Sequence, residues 1–113
     1  MPPRAEFGSE HSWHLFILRL RSPHGQDKRA HFVDRLKQLG VGTSVHFIPL
    51  HLHPYYREAF GYRPGDFPQA EDAYHRCVSL PIYPDLTSEE RQRVVRAVEH
   101  AVLKTRERAL VAA

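Results

Sequence analysis

Gly40-Val-Gly-Thr-Ser-Val-His-Phe-Ile-Pro-Leu-His-Leu-His-Pro-Tyr-Tyr56 is the stretch on which the reading of this chain turns. Gly40 closes the helical pattern before it, at the C-terminal position where positive φ is needed and glycine meets no steric cost. Val41 to Ile48 then alternates as a strand does. Thr43, Val45 and Phe47 share one face, and Ser44, His46 and Ile48 share the other. Pro49 cannot donate to a ladder and ends it. Beyond it, His51, His53, Tyr55 and Tyr56 crowd imidazole and phenol rings into a few residues. Two functions suit such a segment: a substrate-facing loop of an enzyme whose other parts lie elsewhere, or a self-contained site built on histidines.

Working outward, Trp13 to Arg21 reads as a strand with both faces apolar, and is therefore expected to be central and covered on both sides. Ser22-Pro-His-Gly25 has the composition of a turn. Asp27 to Leu39 reads as a helix, with Phe32, Val33, Leu36 and Leu39 on one face. After Pro49 the periodicity is lost, with one or two helical turns expected over Tyr55–Phe60. Pro68 suits the first position of a helix that runs to about Cys77, with Ala70, Ala73, Tyr74 and Cys77 as its narrow apolar stripe. Val78 to Pro81 allows a brief strand. Thr87-Ser-Glu-Glu90 is a capping-box pattern. It opens a helix from about Ser88 to Lys104, whose stripe is Val94, Val95, Val98, Ala101 and Val102. The fold class is α+β: a small sheet of about three strands with helices packed on it. Residues 1–11 read as a flexible lead-in or linker remnant, 12–104 as the domain, and 105–113 as a fraying helix end or tail.

Composition sets the broad class. A chain of 113 residues is enough for one domain with a modest core. Hydrophobic content of 42% and charged content of 26% are those of a soluble globular protein. The formal charge of +3 is small and spread out, and the acidic residues interleaved with Arg91, Arg93 and Arg96 make a solvated helix face rather than a phosphate track, so no nucleic-acid partner is expected. No apolar run has the length of a membrane span, and Met1-Pro-Pro-Arg lacks the apolar block of a secretory signal. Cys77 is the one cysteine, which fits a reducing, cytoplasmic setting.

Candidate chemistry is sparse. His46, His51 and His53 are spaced H-x4-H-x-H, with His75 a possible fourth metal ligand, but cysteine and carboxylate ligands in the usual spacing are missing. Cys77 on an apolar stripe reads as a small buried hydrophobe, and Ser79 as an ordinary strand residue. Asp66, Glu71, Asp72 and Asp85 fall near turns and helix starts, where capping accounts for them. The residues alone give an α+β domain with a His- and Tyr-rich loop.

That loop, with Pro54-Tyr-Tyr56 after it, resembles the C-terminal domain of the DegT/DnrJ/StrS aminotransferases. So do Ser12-Trp-His-Leu-Phe16, Phe67-Pro-Gln-Ala-Glu71 and Ser79-Leu-Pro-Ile-Tyr-Pro84, in the same order. The resemblance covers roughly residues 12 to 103. It implies the small C-terminal domain of a fold-type I, pyridoxal-phosphate-dependent enzyme that transfers an amino group to the keto-sugar of a nucleotide sugar. It also implies a large catalytic domain that carries the Schiff-base lysine and the cofactor's other ligands. Lys28, Lys37 and Lys104 lie on helix surfaces or ends, so no catalytic residue and no cofactor are expected on this chain alone. By position in the resembling motif, His46, Phe47 and His51 are the expected substrate-binding residues. Two other readings remain: a binding or self-association module, with a homo-oligomer formed through surface a large domain would otherwise cover, and the histidine metal site.

Overall fold

Two helices, one short strand and Val41 after the first helix supply the core, and each element carries its apolar residues at the spacing its geometry demands. The computed structural model describes residues 8, 10, 12–21 and 25–111; the side chains of residues 25–28 and 104–111 lie outside that description. Most of the lead-in expected over 1–11, and the turn expected over 22–25 except Gly25, lie outside the described residues. In chain order the elements are β1 (Phe16–Arg19), α1 (Gly25–Gln38), a single 3-10 turn (Leu50–Leu52), α2 (Pro54–Phe60), α3 (Pro68–Arg76), β2 (Cys77–Leu80) and α4 (Ser88–Val111).

Helix α1 buries Phe32 and Leu36 and turns Val33 half inward, and Leu39, just after its end, is half-buried as well. It ends as expected. Gly40 has φ 76°, the Gly40 N–H donates to the Lys37 carbonyl at 3.0 Å, and the Val41 N–H reaches back to Leu36 at 2.9 Å. These two bonds satisfy carbonyls that a helix end otherwise leaves without partners. The apolar contact that completes this type of cap is there too, because Val41 and Leu36 belong to the same buried cluster.

The sheet corrects two expectations. Among the described residues it has two strands, β1 and β2, paired antiparallel with Ile17 opposite Ser79 and Leu18 opposite Val78. The strand expected over Val41–Ile48 is reduced to one bridge. The Ser44 N–H donates to the Ser79 carbonyl at 3.1 Å and the Ser79 N–H to the Ser44 carbonyl at 2.7 Å. β2 is four residues long and offers little template on that side, and Gly42 lacks the side chain that favours extended packing. β2, not β1, is therefore central. Val78 and Ser79 are buried, whereas β1 is half-buried and ends on exposed Arg19.

Helix α4 begins with the expected capping box. The Glu90 N–H donates to Thr87 Oγ1 at 3.2 Å, and Glu90 Oε2 accepts from the Thr87 N–H at 2.9 Å. Its buried stripe is Ala97 and Ala101, with Val94 and Val98 beside them, while Val95 and Val102 are exposed. The stripe is rotated from the expected one because alanine lets α4 lie close against α1. Cys77 is the first residue of β2 and not the last of α3. Asp72 ties α3 to β1: its Oδ2 accepts from Arg19 at 2.5 Å and from Arg76 one turn on. Arg76, and then Arg19, hold that carboxyl below its ordinary value. Among the described residues, no helix is long and apolar enough to cross a membrane.

Candidate functional site

The bridge at Ser44 lays the following residues beside β2, and His46 is fixed there by its own side chain. His46 Nδ1 lies 2.9 Å from Ser79 Oγ. The Phe47 ring stands edge-on to the His46 ring, with centroids 4.7 Å apart, and is 75% exposed. These two expected substrate-side residues thus sit together, one anchored and one open to solvent.

His51 is placed differently. It is 5% exposed, and its Nε2–H donates to Glu71 Oε1 at 2.8 Å. The same oxygen accepts from the Gly65 N–H at 2.6 Å. The Gly65 amide first, and the His51 ring second, hold the Glu71 carboxyl below its ordinary value. The His51 ring also packs against Phe67 at 4.8 Å. From Phe67 a row of ring contacts runs through Tyr62 (5.2 Å), Phe60 (5.8 Å) and Tyr56 (6.0 Å), and so ties the loop after α2 to α2 itself.

The residues between His46 and His51 are braced from within. The Leu52 N–H bonds to the Pro49 carbonyl at 2.9 Å, and the His53 Nε2–H donates to the Ile48 carbonyl at 3.2 Å. The four rings considered as metal ligands do not converge. His46 faces Ser79, His51 faces Glu71 and His53 faces a backbone carbonyl, while the His75 ring lies 5.1 Å from that of Tyr74. Among the described residues, no group of three or more His, Cys, Asp or Glu side chains is placed to hold a metal ion.

An open concavity of about 490 Å³ lies along α2, lined by Pro54, Arg57, Glu58, Gly61, Tyr62 and Arg63. None of the three expected site residues lines it. In sequence, Glu71 shows only the signal of a helix start and Ser79 that of a short strand, yet each holds an expected site histidine from 20 or 33 positions away. Pairings at that separation leave no periodic trace in a sequence.

The residues described do not make a pyridoxal-phosphate site. Lys37 is the lysine whose side chain is described, and it is exposed in the last turn of α1. Glu71 and Asp72 are engaged by His51 and by two arginines.

Residues 1–99 match the DegT/DnrJ/EryC1/StrS aminotransferase family. Protein MJ1066 of Methanocaldococcus jannaschii is 50% identical over 97 residues, which are 86% of this chain and 25% of that protein. The spore coat polysaccharide biosynthesis protein SpsC of Bacillus subtilis is 42% identical over 93 residues, 81% of this chain and 24% of that protein. In three dimensions the chain is similar to the apo-form of Spr1654 of Streptococcus pneumoniae, described as a sugar aminotransferase. The TM-score is 0.85 at 23% identity, over 96% of this chain and 27% of that one. Spr1654 has also been solved in PLP- and PMP-forms. The chain spans about a quarter of the length of the relatives it matches.

Proposed function

Because this chain belongs to the DegT/DnrJ/EryC1/StrS aminotransferase family, we propose that it is the C-terminal domain, or a truncated homologue, of a nucleotide-sugar aminotransferase. Residues 12–104 form that domain. In the complete enzyme, a preceding large domain holds pyridoxal phosphate and its lysine, and an amino acid donates the amino group to a keto-sugar. This chain contributes the substrate-side wall, and the one cysteine fits a cytoplasmic setting. The observation that carries the reading is the pairing of exposed Phe47 with anchored His46 in the segment that resembles the family's substrate-side motif. An aromatic face packs on a sugar ring, and an imidazole donates to a hydroxyl or phosphate oxygen. His51, buried on Glu71, serves the substrate by holding the 3-10 turn in place.

Titration of the 15N-labelled chain with UDP-glucose tests this. Shifts are expected at His46 and Phe47, and Phe47→Ala is expected to weaken binding about two- to tenfold, the range of one aromatic contact. Stability should hardly change, because the ring is exposed. Shifts confined to other parts of the chain would sink the assignment. Catalysis is a separate question with a separate test. Pyridoxal phosphate followed by borohydride is expected to leave no lysine adduct by mass spectrometry, and a stoichiometric adduct would overturn the view that the chain alone is inactive.

A second reading, association through an apolar surface, is favoured by the exposure of Ile48, Leu50, Tyr55 and Phe60 around the same loop. A chain that sediments as a monomer at high concentration removes it.

A further inference from the structure

We propose that Ser79 is a positioning residue: its hydroxyl donates to His46 Nδ1 and thereby places the proton of the neutral imidazole on Nε2, as a donor to a substrate oxygen. The proposal rests on the substrate-side reading of His46.

Ser79 is 5% exposed on the central strand, and its backbone N–H and carbonyl are both spent on Ser44. Its hydroxyl, buried with it, needs a partner of its own. Among the described residues that partner is His46 Nδ1, at 2.9 Å. Two hydrogen placements fit the distance. If Nδ1 carried the proton and donated to Oγ, the buried hydroxyl hydrogen would have no acceptor. If the hydroxyl donates to Nδ1, both groups are satisfied, and a buried polar group left unpaired is the costlier outcome.

The ring proton then lies on Nε2. That atom has no protein partner among the described residues and is not among the buried unpaired atoms, so solvent reaches it. The opposite tautomer would present a lone pair there, which can accept from a sugar hydroxyl but repels a phosphate or carbonyl oxygen. The ladder on both sides of Ser79, to Ile17 and to Ser44, fixes where the hydroxyl stands. This accounts for a serine in the short, otherwise apolar strand Cys77-Val-Ser-Leu80.

Long-range 1H–15N spectra of the labelled chain, at a pH where its histidines are neutral, test the assignment. In the wild type, Nε2 is expected to be protonated, and Nδ1 unprotonated with the upfield displacement of a nitrogen that accepts a hydrogen bond. Ser79→Ala should remove that displacement and let the two tautomers mix, and Ser79→Thr, which keeps the hydroxyl, should restore it. A wild type protonated on Nδ1 overturns the proposal without recourse to any variant. So does a folded Ser79→Ala chain with both nitrogens unmoved. UDP-glucose separates the proposal from the reading beneath it. A ligand shift at His46 with the wrong tautomer sinks the role of Ser79 alone. The right tautomer with Nε2 unmoved by ligand sinks the substrate-side reading, and the positioning role falls with it.

Discussion

Leu36→Ala is expected to destabilise the chain by about 3–5 kcal/mol, the upper part of the range for buried leucine. Leu36 is fully buried in a cluster with Phe32, Val41, Val78, Ala97 and Ala101. Two of those neighbours are alanines, which have no atoms to move into the space a leucine leaves. A third of the five, Val41, is pinned by its backbone bond to Leu36 itself. The cavity therefore stays open, and the cavity contribution adds to the lost transfer free energy. A domain of this size has about 5–15 kcal/mol in all, so the variant loses between about a fifth and all of it. Urea denaturation checks this: the midpoint should fall by about 1–5 M at unchanged slope. Leu36→Met, which conserves volume, should cost less than about 1.5 kcal/mol. An alanine variant within about 1 kcal/mol of the wild type would mean that α1 and α4 close around the gap, and that the packing described is not what fixes their separation.

What could be read from the sequence was what neighbours in the chain decide. The cap at Gly40, the box at Thr87 and the proline start at Pro68 depend on residues within five positions of one another, and each stands where expected. Strand pairing does not depend on neighbours. Trp13–Arg21 looks central because both its faces are apolar, yet β2, with only four residues, takes the middle. The Val41–Ile48 alternation is equally real, but a ladder needs a partner of matching length, and among the described residues only Ser79 meets it. On α4 the valines dominate the hydrophobic pattern and Ala97 does not, because a small side chain counts for little in such a pattern and for much in how closely two helices approach.

The candidate site divides in the same way. His46, Phe47 and His51 stand out as residue types, and resemblance orders them, but their environments were not legible. An imidazole can be an exposed donor or a buried brace, and the choice is made by Ser79 and Glu71, far along the chain. His51 shows the consequence most clearly: it lies in the expected segment and points into the protein, onto a carboxylate.

That carboxylate gives the second large expected effect, loss of stability in acid. Glu71, Asp72 and Glu90 all have carboxyls held below their ordinary values. A carboxyl whose value is lowered on folding contributes stability that is present above its unfolded value, and loses it as the pH falls through the folded one. For Glu71 the ordinary value is 4.5, so the loss belongs below that pH and not near neutrality. Glu71→Gln isolates its share. The amide keeps the shape but accepts weakly from the Gly65 N–H and from His51, which are the two largest interactions holding the carboxylate ionised. At pH 7 the variant should have a lower urea midpoint than the wild type, and faster hydrogen exchange at the Gly65 amide. As the pH falls below 4.5 the two midpoints should converge, because the wild-type side chain becomes neutral like the one that replaced it. Asp72→Asn makes the contrast: it releases Arg19 and Arg76 instead, between β1 and α3, and should leave Gly65 exchange unchanged. A gap between Glu71→Gln and the wild type that stays constant from neutral pH into acid would show that only the shape of the side chain matters there. The bond to His51 would then brace the 3-10 turn without help from charge.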